Sequence, residues 1–243
     1  IDRPTIETAA RSLNLELSSI HTAGDNLYLL RLKPITADQN EQFKQSLGKE
    51  IVEKRFETVG PVVGRELTQK AVAALGVASL AIVLYIAWAF RGIPPPYSSW
   101  KFGLSAIVAL LHDAFVVLGI FSLLGHLYGV EIDALFVTAM LTVIGFSVHD
   151  TIVVFDRIRE NLPKMPGQSF TEVVNFSLSE TLVRSLNTSL TVLLTLSALL
   201  LFGGESIRWF VVALLIGILS GTYSSIFNAS PLLVLWETRR KSA

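Results

Sequence analysis

Cysteine is absent from the 243 residues, which excludes thiolate metal sites, disulfides and cysteine nucleophiles. Charge is scarce too: Asp, Glu, Lys and Arg make up 16% of the chain against 51% hydrophobic residues, and the formal net charge is zero. That balance is too apolar for an ordinary soluble domain and supplies no basic surface for nucleic acid. No glycine-rich phosphate loop followed by Lys and Ser or Thr occurs, so energy taken directly from a nucleotide is not expected. His21 and His126 stand apart from any acidic cluster at ligand spacing, and no metal or organic cofactor is expected.

What the chain does have is long apolar runs. Charge divides it near residue 70, with half of all the acids in residues 1–69. From Ala71 onward come five runs near 71–90, 102–124, 134–155, 185–202 and 209–236. Each approaches the roughly 20 apolar residues that a spanning helix needs. The expected fold class is therefore a membrane all-α bundle of five helices over residues 70–243, preceded by a small α+β domain at 1–69. Lys and Arg mark the cytoplasmic side of short loops. Arg91, Lys101, Arg157, Arg159, Lys164, Arg239, Arg240 and Lys241 fall on one side and only Arg208 on the other, so the C-terminus is expected in the cytoplasm and residues 1–69 outside. An outer N-terminal domain with no anchor before it implies a sixth helix upstream.

The outer segment leads to the same expectation. A helix is predicted at Thr5–Leu13 after Pro4, strands at Leu15–Ile20 and Leu27–Leu32 around the turn residues 23–26, and a helix opened by Thr36 and Gln39 at capping-box spacing. A last strand, Val52–Val59, would stop at Gly60-Pro61. The order α-β-β-α-β is a ferredoxin-like βαββαβ unit without its opening strand. Between the third and fourth runs, Phe170, Val173, Val174, Phe176 and Leu178 fall at helical spacing. They read equally as a short amphipathic helix at the membrane surface or as a plain helical connector.

Two runs contain a His-Asp pair, His112-Asp113 and His149-Asp150. An acid within a membrane span costs a few kcal/mol, so it faces the bundle or a wet cavity. Thr138, Thr142, Gly145 and His149 make one polar stripe at spacings of four, three and four, with Asp150 about 100° further round the helix. On the next span Arg184, Asn187, Thr188, Thr191 and Thr195 share a face, with Glu180 one turn below. Such a stripe turned to lipid would leave polar groups unpaired, so it is expected to face protein or water. An acid on one helix and an arginine on the next suggest a gated ion pair between Asp150 and Arg184. The competing readings are a buried packing pair at His149-Asp150 and an interface-anchoring Arg184. Asp113 reads equally as a second relay acid or a structural hydrogen bond. Gly217 and Gly221, at G-x-x-x-G spacing, read as close helix packing.

FETVGPVVGREL at 56–67, IGFSVHDTIVVFDRIREN at 144–161, ETLVRSLNTSLT at 180–191, LFGG at 201–204 and IGILSGTYSSIFNASPL at 216–232 resemble, in this order and along essentially the whole chain, the SecF family of bacterial Sec translocase subunits. The family belongs to the proton-driven RND superfamily. The resemblance implies six membrane helices with a periplasmic domain after the first, either as a separate SecF or as the SecF half of a fused SecDF. It implies export of unfolded preproteins across the bacterial cytoplasmic membrane, driven by protons rather than by enzyme catalysis. The implied partners are SecD, the SecYEG translocon and membrane lipids, with YajC and YidC as further candidates and no nucleic acid. Asp150 and Arg184 are the implied proton-path residues. His149 departs from the Asn that many relatives carry there, so an imidazole either joins the path or fills the same hydrogen-bonding place. The alternatives are a proton-driven exporter of small molecules or lipids, and a passive translocon scaffold.

Overall fold

The computed structural model describes residues 2–22, 27–48, 51–54, 56 and 61–238. The chain divides into two compact units, Ile1–Lys70 and Ala71–Ala243.

In the first unit, α1 (Arg3–Ser12) carries Pro4 in its first turn, where the missing N–H has no intrahelical partner to lose. β1 (Leu17–Thr22) pairs antiparallel with β2 (Tyr28–Leu32), Ile20 opposite Leu30, with an irregularity between Leu17 and Ser19. Tyr28, Leu30 and Leu32 alternate onto the face that meets Ile6, Ala9, Ala10 and Phe43, while Leu29 turns outward. α2 (Ala37–Leu47) starts with the expected capping box: Gln39 N donates to Thr36 Oγ1 at 3.3 Å and Thr36 N to Gln39 Oε1 at 2.9 Å. Lys44 and Asn40, both bonded to Glu53, hold its carboxyl below the usual range. The turn at 23–26 lies outside the described residues. Of the expected last strand, residues 52–54 and 56 carry no strand and the remainder lies outside the described residues. The order seen is therefore α-β-β-α.

The second unit is helical, and among the described residues five stretches are long and apolar enough to cross a membrane: Gln69–Ala89, Ser99–Tyr128, Ala134–Asn161, Phe170–Phe202 and Glu205–Thr238. They belong to α3 (Pro61–Ala89), α4 (Ser99–Tyr128), α5 (Ala134–Asn161), α6 (Phe170–Phe202) and the broken pair α7 (Arg208–Ser224) and α8 (Ser230–Thr238). α3 presents nearly all of its span outward, whereas α5 and α7 are deeply enclosed.

Two expectations need correcting here. Residues 170–178 form neither a surface helix nor a separate connector. They are the opening turns of α6, which begins at Phe170 rather than Ser185. The Ser169–Glu172 capping box starts the helix and no Gly or Pro interrupts it before Gly203. Phe170, Val173 and Val174 are buried, and Phe170 stacks on Tyr97 at 4.7 Å between ring centres, so this face meets protein and not headgroups. The fifth span is likewise not one α-helix but contains a π turn at Ser225–Ala229. Pro231 lacks an N–H and would crowd the carbonyl four residues back, that of Phe227, which the wider turn accommodates.

Two apolar clusters fill the bundle. One holds Phe90, Phe102 and Phe155, with Phe102 edge-on to Phe155 at 5.2 Å; the other holds Phe121, Phe136 and Val143. Between them α5 and α7 come close together. A Cβ at Gly217 would stand 2.2 Å from Val143 Cγ2, and one at Gly221 would stand 3.0 Å from Ser147 Cβ. Only glycine permits that approach, as the G-x-x-x-G spacing implied.

Candidate functional site

The polar interior of the bundle is organised around two aspartates. Asp113 of α4 is 1% exposed and its carboxylate is crowded with donors. Oδ2 accepts from Ser147 Oγ of α5 at 2.5 Å and from Ser224 Oγ of α7 at 2.6 Å; Oδ1 accepts from Ser220 Oγ of α7 at 2.7 Å and lies 3.1 Å from His112 Nδ1. One side chain thus ties three helices together.

Asp150 of α5 is 2% exposed, yet its Oδ2 has no hydrogen-bond partner among the described residues. Ser185 and Ser189 of α6 stand beside the carboxylate. Ser185 Oγ is also unpaired. Ser189 Oγ lies 2.6 Å from Thr222 Oγ1 of α7, and Thr222 already donates to Ile218 O at 2.9 Å. Ser189 is thus engaged with Thr222, and either hydroxyl can be the donor. A buried carboxylate oxygen and a buried hydroxyl are left side by side with unused bonding capacity, which is unusual in a packed interior.

Arg184 does not complete this site. It lies on the exposed face of α6, one residue and about 100° from Ser185, and forms no ion pair among the described residues. The expected contact between Asp150 and Arg184 is not made in this structure. Asn187, Thr188, Thr191 and Thr195 share the outward face with Arg184, and Thr138, Thr142, Gly145 and His149 are likewise outward on α5. The threonines of these outward stripes have a local reason to tolerate that position. Thr138, Thr142, Thr188, Thr191 and Thr195 each donate to the carbonyl four residues earlier, at 2.8–3.0 Å, so their hydroxyl protons are satisfied within their own helices.

The face of α6 that meets the bundle is instead Ser177, Thr181, Ser185 and Ser189, all buried. The sequence signal for it is a four-residue repeat of small hydroxyl residues, the pattern that lets membrane helices approach. In the sequence this pattern is masked by the more strongly polar stripe of Arg184, Asn187, Thr188 and Thr191. At the same end, Arg157 of α5 donates twice to Glu180, from Nε and from Nη2 at 2.8 Å each, and Asn161 Nδ2 donates to Glu180 Oε2 at 2.7 Å and to Ser177 Oγ at 3.0 Å. Glu180 is thus the partner of Arg157, not an extension of an Arg184 track. Lys101, placed by its sequence in a loop, lies in the first turn of α4 and pairs with the buried Glu237 at 2.9 Å.

Chemically the two acids differ in what they have left to offer. Asp113 has hydrogen bonds on both oxygens and serves as a joint. Asp150 has an oxygen open to a proton, a water or a donor from a neighbouring helix.

Comparison with known proteins was consistent along the chain. Residues 39–239 match the family described as "Protein export membrane protein SecD/SecF, C-terminal". The chain is 60% identical over 199 residues to protein translocase subunit SecF of Thermobaculum terrenum, covering 82% of this chain and 62% of that protein. It is 43% identical over 231 residues to protein translocase subunit SecF of Anaerolinea thermophila, covering 93% of this chain and 74% of the relative. The crystal structure of SecDF, a translocon-associated membrane protein from Thermus thermophilus, matches with a TM-score of 0.78 and 38% identity over 96% of this chain and 32% of that one. The chain thus spans a little under two thirds to about three quarters of the two SecF relatives.

Proposed function

Because the chain belongs to the SecD/SecF C-terminal family of protein export membrane proteins, we propose that it works as the SecF part of a Sec protein translocase, coupling inward proton movement to export of unfolded preproteins. The observation that carries the proton part is the unpaired Oδ2 of Asp150, buried beside the unpaired hydroxyl of Ser185. A fixed structural acid would have its oxygens occupied, as Asp113 does; an oxygen left open in a packed helix junction is suited to taking up and releasing a proton. Each proton that crosses yields about 2.3 kcal/mol per 100 mV, enough over a few cycles to bias the packing of helices.

In the proposed cycle Asp150 alternates between a protonated form and a form paired to a cation. Arg184 is that cation. Its long side chain starts one residue from Ser185, so a modest turn of α6 or a swing of the guanidinium carries it toward the acid. His149, exposed beside Asp150, is in this reading a polar side chain that Asn can replace. The outward Arg184, Asn187 and His149 need cover within a membrane, and a second helical bundle, that of SecD, is the proposed partner. The SecYEG translocon is proposed as the larger assembly, with YajC and YidC as further candidates. The clustering of Lys and Arg supports a cytoplasmic C-terminus, with a ferredoxin-like domain built from residues 1–69 on the outer face.

The test is export by the complex with SecD in proteoliposomes under an imposed proton motive force. Asp150→Asn should abolish the dependence on that force while the complex still assembles. Arg184→Ala should fail in the same way, and the double variant should be no worse than either single one, since groups acting as a unit are not additive. Full proton-dependent export by Asp150→Asn at normal abundance would overturn the reading and leave a passive scaffold.

A further inference from the structure

Asp113 is the buried carboxylate that the proposed cycle does not use, and its placement relative to Asp150 is specific. Ser220 and Ser224 lie one turn apart on α7 and both donate to Asp113, at 2.7 and 2.6 Å. Gly221 lies between them, and Ser147 of α5 is pressed against it: a Cβ on Gly221 would stand 3.0 Å from Ser147 Cβ and 3.1 Å from its Cα. Ser147 is thus held from two sides, its hydroxyl by Asp113 at 2.5 Å and its backbone by the glycine. The same turn of α5 carries Asp150, three residues and about 4.5 Å of rise further on. Thr151 Oγ1 closes that turn by donating to Ser147 O at 3.1 Å.

We propose that Asp113 is a positioning residue for Asp150: by seating Ser147 against Gly221 it sets the height and rotation of the α5 turn that aims Asp150 at Ser185 and Ser189. The inference rests on the reading of Asp150 as the proton-exchanging group and names what holds that group in place. No hydrogen bond joins the two acids among the described residues, so the link runs through Ser147. The groups around Asp150 are His149 on its own helix and Ser185 and Ser189 on α6, with Thr222 of α7 behind Ser189. Those around Asp113 are His112, Ser147, Ser220 and Ser224. A change in the seat therefore reaches Asp150 as a displacement, without replacing any group that touches it.

Three variants of the full complex with SecD separate this from a merely structural role. Ser147→Ala removes one hydroxyl and fits the seat. Gly221→Ala keeps Asp113 and all its donors but pushes Ser147 away. Asp113→Asn replaces one acceptor oxygen with a donor. Each should lower proton-driven export per assembled complex by roughly tenfold to a hundredfold, the scale set by an ångström of misplacement. Each should also move the midpoint of the pH profile of export while SecD still copurifies. Lower abundance with a parental rate per complex and a parental pH midpoint would overturn the proposal. Ser147→Ala, the mildest change, decides the matter if the other two fail to assemble. Asp150→Asn is measured alongside. If it keeps proton-dependent export, the underlying reading fails; if it abolishes export while Ser147→Ala behaves as the parent, only the positioning inference fails.

Discussion

Asp113 and Asp150 are both aspartates on apolar helices, both follow a histidine, and both are buried, yet their surroundings are opposite. Asp113 gathers three hydroxyls and an imidazole; Asp150 has an oxygen with no partner. Burial alone therefore does not mark a functional acid. What separates the two is the α7 sequence opposite Asp113, where Ser220, Gly221 and Ser224 supply two donors and room for a third from Ser147. Opposite Asp150, α6 supplies Ser185 and Ser189, and Ser189 is already engaged with Thr222. A rigid joint of α4, α5 and α7 thus stands one turn of α5 away from a site between α5 and α6 with spare bonding capacity.

The contrast can be broken most strongly at the helix contact that both acids share. Gly217→Ala would place a methyl 2.2 Å from Val143 Cγ2, and Val143 is β-branched and stiff. Forcing α5 from α7 should cost up to about 3 kcal/mol, the upper range for overpacking. Thermal unfolding of the detergent-solubilised complex should show it, and Val143→Ala added to Gly217→Ala should recover most of the loss. A loss that persists in the double variant would mean that the close contact is not its cause.

A sharper test compares the acids directly by removing each one. Asp113→Ala strands three buried hydroxyls, and interhelical hydrogen bonds in membrane bundles average about 0.6 kcal/mol, so the loss should be about 2 kcal/mol. Asp150→Ala strands fewer partners and should cost clearly less than Asp113→Ala. Equal losses in the same unfolding assay would erase the distinction between joint and open site.

The smallest effect is expected at His149. It is exposed on this chain and adjacent to Asp150. His149→Asn should leave stability unchanged and keep the parental pH profile of proton-driven export. A shifted midpoint would instead make the imbalance between the two sites partly a matter of the imidazole, whose reference pKa is about 6.5.

Much of the architecture was legible in the amino-acid order because it depends on local rules. The five apolar runs became five membrane-length stretches, Thr36 and Gln39 closed their capping box, and Gly217 and Gly221 marked where two helices touch. Helical periodicity also showed correctly that Arg184, Asn187, Thr188, Thr191 and Thr195 share a face. It could not show which way that face turns. In water the apolar face of a helix goes inward, but in a membrane there is no such drive between helices, and either face can meet lipid if its polar groups are satisfied. Threonine hydroxyls satisfy themselves on their own helix, so the Thr-rich stripe stayed outward and the small-residue stripe Ser177, Thr181, Ser185 and Ser189 went inward. The partners of Asp113 lie on α5 and α7, up to 111 residues along the chain, and no spacing rule connects them. The sequence by itself determined the five apolar helices and which residues share a face, though not where α6 begins or that the fifth span breaks. Only the tertiary structure decided which faces meet, and with that which aspartate is tied and which is left free.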